Sequence, residues 1–145
     1  MINSLVAEPT VAPELSGMPG VDPSWSRLVQ AVDAEGVPRT WHVLDNGVAP
    51  QTGTLLCVHG NPTWSYLWRR FLGCADPGWR VVAVDQLGMG YSERPRSPRS
   101  LATRIDDLDT ITAELGIAGR VVLAAHDWGG PSSLGWALRH DDQIA

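Results

Sequence analysis

Ala125-His126-Asp127-Trp128-Gly129-Gly130 is the stretch on which the fold turns. The apolar run Arg120-Val121-Val122-Leu123-Ala124 leads into it, and a segment patterned as a helix, Pro131 to His140, leads away. Strand, sharp turn and helix, with Ala125 two positions before Asp127 and Gly129 and Gly130 two and three after it, predict a nucleophile elbow. The small residues are needed because such a turn is strained and brings the strand and helix backbones close together. Ser is the usual centre of an elbow; here the centre is Asp.

Two earlier runs resemble the strand that feeds the elbow. Thr54-Leu55-Leu56-Cys57-Val58 and Arg80-Val81-Val82-Ala83-Val84 are, like residues 120–124, continuously apolar. Strands without alternation are buried on both faces, the habit of parallel sheets. Between them, Trp64, Leu67, Trp68, Phe71 and Leu72 repeat at helical spacing and leave Arg69 and Arg70 outward. Leu101, Ile105, Leu108, Ile111, Thr112 and Leu115 form a second stripe, with Ser100 placed to cap it and Gly116 to end it. Residues 28–32 and 39–44 read as two further strands, and Asp45-Asn46-Gly47 as a turn. Alternating strands and helices predict an open α/β sheet with right-handed crossovers.

Open α/β sheets bind ligands at the C-terminal ends of their strands. The first strong strand runs into His59-Gly60-Asn61-Pro62, the second into Asp85-Gln86-Leu87-Gly88-Met89-Gly90-Tyr91-Ser92, and the third into the elbow. Three glycine-bearing turns at neighbouring strand ends predict the floor of one pocket. Gly88-Met89-Gly90 is no dinucleotide fingerprint, because Glu93 holds the third glycine position. No Walker sequence, CxxC pair or His cluster points to a phosphate or metal site, so neither a metal nor a cofactor is expected.

Composition narrows the classes. The 145 residues are 43% hydrophobic and carry a net charge of -5, which argues against nucleic acid as a partner. All eleven basic residues are Arg. Cys57 and Cys74 do not make a disulfide framework. With no basic residue before Arg27 and no sustained apolar run, neither a secretory signal nor a membrane span is expected, and the default address is cytoplasmic.

The motifs His59-Gly60-Asn61-Pro62-Thr63-Trp64-Ser65-Tyr66-Leu67-Trp68-Arg69, Asp85 to Ser92, and His126 to Gly130 together resemble the α/β-hydrolase superfamily, and within it the haloalkane dehalogenase group. The likeness spans residues 39 to 145. It implies an N-terminal half of an α/β-hydrolase sheet with flanking helices, truncated before the cap domain: residues 1–24 a flexible Pro/Gly-rich tail, residues 25–145 an incomplete core domain. An Asp carboxylate is ionised near neutral pH and displaces a leaving group from saturated carbon without a base, which a Ser hydroxyl cannot do. Asp127 is thus the expected nucleophile, forming an alkyl ester that His-activated water later hydrolyses. The backbone N–H groups of Trp128 and Asn61 are expected to form an oxyanion hole. In the dehalogenases a Trp and an Asn at these positions also cradle the halide, which implies the same for the side chains of Trp128 and Asn61. The expected substrate is small and hydrophobic: a haloalkane, or, in related families, a β-lactone decarboxylated in bacterial olefin biosynthesis or an epoxide. Trp25-Ser26-Arg27-Leu28 resembles the approach to the hydrolase half of fused olefin-pathway proteins. A non-catalytic binding protein on the same fold is the alternative from another class.

Plainer roles stand beside these. Asp127 in another context is a helix N-cap. His59 and His126 are read as structural, Asp85 and Ser92 as holding their own turn together, and Asp106, Asp107 and Asp109 as a solvated helix face. Trp64, Trp68 and Phe71 are read as core. In α/β-hydrolases the acid and the His follow the nucleophile, yet only His140, Asp141 and Asp142 do so here. His140 lies about 20 Å along a helix from the elbow. The 145 residues alone are therefore expected to show no turnover.

Overall fold

A computed structural model describes residues 10–145. Five strands form one mixed sheet in the order β1-β2-β4-β3-β5. These are β1 (Ser26–Val32), β2 (Pro38–Asp45), β3 (Gly53–Val58), β4 (Trp79–Val84) and β5 (Val121–Ala125). β3 pairs in parallel with β4 and β5, whereas β2 runs antiparallel to β1 and β4. The three continuously apolar runs are thus the three adjacent parallel strands. Successive residues serve opposite faces: Leu56, Val58, Val82 and Val84 join one core cluster, and Cys57, Val81 and Ala83 the other.

Helices α2 (Leu101–Glu114) and α3 (Gly129–Arg139) cover the first face through Leu108, Ile111 and Trp136. Ser100 caps α2 by accepting from the Thr103 N–H. Gly135 lets the two helices close up, since a Cβ there would overlap Ile105. The buried Trp136 Nε1–H donates to Thr112 Oγ1 at 2.9 Å.

The stripe expected from Trp64 to Leu72 is broken. Residues Ser65–Trp68 are a 3-10 turn and only Arg69–Cys74, α1, is α-helical. A 3-10 turn advances 120° per residue instead of 100°, so one apolar face does not continue through the junction. Trp68 and Leu72 are buried, but Phe71 is 48% exposed.

Of the segment expected as a flexible tail, residues 1–9 lie outside the described residues. Residues 10–22 contain turns and no helix or strand, yet they pack on the sheet: Leu15 is buried with Leu44, Trp68 and Leu72, flanked by Met18 and Val21. The apolar residues between its prolines are what anchor it.

Candidate active site

Three turns meet at the C-terminal ends of β3, β4 and β5. Each is held by polar groups that leave the next one fixed. After β3, the buried His59 donates from Nδ1 to the Gly60 carbonyl at 2.8 Å and accepts the Gln86 N–H on Nε2 at 3.0 Å. Burial pushes the His59 pKa down, and the bond pattern is that of the neutral ring with its proton on Nδ1. The Gln86 side-chain amide returns a bond to the His59 carbonyl, so the first two turns are tied reciprocally. The Asn61–Pro62 peptide is cis.

After β4, Asp85 is fully buried. Its Oδ1 accepts from the Ser65 N–H, and its Oδ2 from the Tyr91 N–H and from His42 Nδ1. Burial pushes the Asp85 pKa up, but the bonds from His42, Tyr91 and Ser65 outweigh it and hold the carboxyl below its usual range. Ser92 Oγ donates to the Asp85 carbonyl and accepts the His42 N–H. Asp85 and Ser92, read from sequence as fastening only their own turn, therefore fasten β2, β4 and the residues before α1. His42 Nε2 meets Ser26 Oγ at 2.9 Å, giving a Ser26–His42–Asp85 chain in the connectivity of a hydrolytic triad. It joins β1, β2 and β4, and none of its three residues lines either cavity described below.

After β5, Asp127 is the only non-glycine residue with a positive φ among the described residues, at 53°. An L-residue is held there only when its surroundings over-determine it. The surroundings are visible in two glycines. A Cβ on Gly129 would collide with the Val58 carbonyl, and one on Gly60 would overlap the Asp127 carboxylate and approach the Trp128 nitrogen to 2.6 Å. The strand–helix approach and the carboxylate's seat on the His59-Gly60 turn thus both require glycine. The Asn61 N–H donates to Asp127 Oδ2 at 2.9 Å. The N–H groups of Trp128 and Asn61 lower the Asp127 pKa. Trp128, not Asp127, is the N-cap of α3, and no side chain caps that helix. The Asp127 carboxylate is turned to the neighbouring turn instead.

Asp127, Asn61 and Trp128 are thus brought together, all exposed, with Trp128 at 53%. Beside them lies a cavity of about 350 Å3 walled by Asn61, Trp128, Met89, Leu101, Arg99 and Arg104. The arginines in this wall were not singled out from sequence; their place on and just before α2 was visible, but its rotation against the elbow was not. Another cavity, of about 470 Å3, opens where Leu55, Phe71, Cys74, Trp79 and Val122 meet, and offers no carboxylate or imidazole. Trp64 packs on Tyr66 and Tyr91 and lines neither cavity.

Of the three helix acids read as a solvated face, Asp106 and Asp109 are partly exposed and Asp107 is not. Asp107 is buried, accepting the Ala34 N–H and facing Arg99, because α2 packs against the β1–β2 turn. Asp106 and Asp109 pair with Arg139, and Asp109 also with His140. That bond, with stacking on Trp136, keeps His140 at the far end of α3. Among the described residues no group of three or more His, Cys, Asp or Glu could hold a metal ion, and no helix is long and apolar enough to cross a membrane.

Comparison with known proteins agrees with this fold. Residues 53–145 match the alpha/beta hydrolase fold family. The chain is similar to a cis-3-alkyl-4-alkyloxetan-2-one decarboxylase of Xanthomonas campestris pv. campestris, 42% identical over 110 residues, covering 70% of this chain and 36% of that protein. It is also similar to a haloalkane dehalogenase of Sphingobium indicum, 42% identical over 95 residues, covering 62% of this chain and 32% of the relative. Among solved structures, haloalkane dehalogenase DpaA from Paraglaciecola agarilytica superposes with a TM-score of 0.78 at 30% identity, covering 92% of this chain and 45% of the other. The chain spans about a third of the length of the curated relatives it matches.

Proposed function

The chain belongs to the alpha/beta hydrolase fold family, and from that premise we propose that Asp127 is a nucleophile directed at saturated carbon. A carboxylate oxygen attacks, the carbon–leaving-group bond breaks, the electron pair departs with the leaving group, and an alkyl ester remains on Asp127. No proton moves in this step. The observation that carries the reading is the Asp127 carboxylate, set on a strained backbone and held against the Asn61 N–H, with its pKa lowered chiefly by backbone donors. Those donors become an oxyanion hole when water later attacks the ester. The Asn61 amide and the Trp128 indole N–H receive the departing anion.

The dehalogenase relatives favour a haloalkane substrate and a halide leaving group. A second reading, a β-lactone opened at its alkyl carbon, is favoured by the oxetan-2-one decarboxylase relative. Ester hydrolysis needs a base, and none of the four histidines has that place in this reading. His42 and His59 are bonded inside the turns, His140 is bonded to Asp109, and His126 precedes the elbow. The ester is therefore expected to accumulate. Intact-mass spectrometry after incubation with a 1-bromoalkane or an alkyl β-lactone should show one adduct, mapped by peptide sequencing to Asp127. Multiple turnover by these 145 residues, or an adduct that survives Asp127→Asn, would sink the assignment.

A further inference from the structure

The cavity beside Asp127 holds a cation that the displacement chemistry so far leaves unused. Arg104 is half-buried on α2 and lines the same space as Asn61 and Trp128. Among the described residues its side-chain hydrogen bonds are long ones from Nη1, 3.5 Å to Gln86 Oε1 and 3.4 Å to the Leu87 carbonyl. Among the described residues no carboxylate lies within ion-pair distance of it; Asp107 acts on it only through space. Its neighbour in the wall, Arg99, is in the opposite condition. That side chain is 3% exposed and surrounded by Asp33, Glu35 and Asp107, so its charge is compensated locally. Arg104 is then the cation of this wall without an ion-pair partner among the described residues, compensated only at a distance by Asp107, with which it also lines a small neighbouring cavity, partly desolvated and with donors to spare.

A guanidinium fork matches the two oxygens of a carboxylate, whereas a spherical halide takes one donor at a time. The two leaving groups considered above differ in just this respect. Opening a β-lactone at its alkyl carbon breaks the ring C–O bond and turns the ring ester into a carboxylate, still joined to the carbon now esterified to Asp127. Displacing a halide yields a free monatomic anion. We propose that Arg104 is the carboxylate-recognising residue of this cavity and fits the site to substrates whose leaving group is a carboxylate. The inference rests on Asp127 acting as the nucleophile.

The test is titration of the protein with acetate and, separately, bromide, followed in 1H–15N spectra at the Arg104 Nε–H, the Trp128 indole N–H and the Asn61 side-chain amide. Acetate should move all three resonances, and bromide only those of Trp128 and Asn61. Arg104→Met should weaken acetate binding by at least about fivefold while leaving bromide within about twofold, because only the charge-assisted fork is lost. Arg104→Lys keeps the charge without the fork and should fall between; it also serves if the Met variant loses its dispersed spectrum. Acetate binding unchanged in Arg104→Met, or equal to the parent in Arg104→Lys, overturns the proposal. Trp128 and Asn61 resonances that ignore both anions would instead sink the displacement reading, while an Arg104 signal that still follows acetate would leave this residue's role standing.

Discussion

Asp85 and Asp127 stand at the ends of neighbouring parts of one sheet, and each accepts backbone N–H groups from another turn. There the likeness stops. Asp85 is buried and accepts from His42 on β2, from the Ser65 N–H before α1 and from the Tyr91 N–H of its own turn. Asp127 is exposed, sits at φ 53° and has no ion-pair partner among the described residues. Both carboxyl pKa values are lowered, one against burial with the help of hydrogen-bonded His42, the other chiefly by the Trp128 and Asn61 amides with a smaller charge effect from His126. Asp85 gives three of its roughly four lone-pair positions to three segments and is closed to solvent, while the Asp127 carboxylate is open to it. Packing separates the two roles more clearly than residue type does.

Substitutions test that contrast most directly. Asp127→Asn should reduce adduct formation by at least about 10⁴-fold, the scale of losing a nucleophile, with an unchanged urea midpoint. Asp85→Ala should do the reverse. It leaves His42 buried without its partner and should cost about 3–5 kcal/mol in urea unfolding. An Asp85→Ala protein of parental stability would end the distinction. Asp127→Gly sharpens it from the other side: relief of the left-handed backbone should leave the urea midpoint unchanged or raise it while abolishing the adduct. Ser26→Ala removes one partner of His42 and should cost about 1 kcal/mol without slowing alkylation. An effect on the alkylation rate would mean that the Ser26–His42–Asp85 chain reaches the elbow.

The smallest expected effect is that of pH. Because backbone donors lower the Asp127 pKa, the carboxylate is present above its folded value and is lost only as pH falls through it. Alkylation followed by mass spectrometry should be flat from about pH 5 to 8 and decline only below about 3.9, the ordinary carboxylate value. Asp85 has the same sign. Its lowered pKa stabilises the fold above the unfolded value and withdraws that stability as pH falls through the folded one. A rise in stability on acidification from pH 5 to 3 would contradict both.

Much of this arrangement is legible in the chain. Three unbroken apolar runs can only be doubly buried strands, and they are β3, β4 and β5. Ser100 and the spacing from Leu101 to Leu115 locate α2 to the residue. Gly129 and Gly60 mark two of the places where backbones approach too closely for a Cβ. His42 was the overlooked clue. A histidine between Trp41 and Val43, all three buried, must find polar partners, and it finds Asp85 and Ser26. The exposed Phe71 and the buried Asp107 misled the sequence reading for one shared reason: helical periodicity gives the faces of a helix but not which neighbours meet them.

Features readable along the chain are therefore local: strand, turn, helix, and Asp127 at a turn whose approach to the next strand admits only glycine at position 129. Hydrophobic period and backbone sterics act over a few residues, so they can be read along the chain. Long-range packing sets the rest: the Asn61 N–H, 66 positions away, donates to Asp127, His42 bonds Asp85, and Arg104 lines the same cavity as Trp128. Those relations depend on strand order and helix rotation, which are set by how whole layers pack.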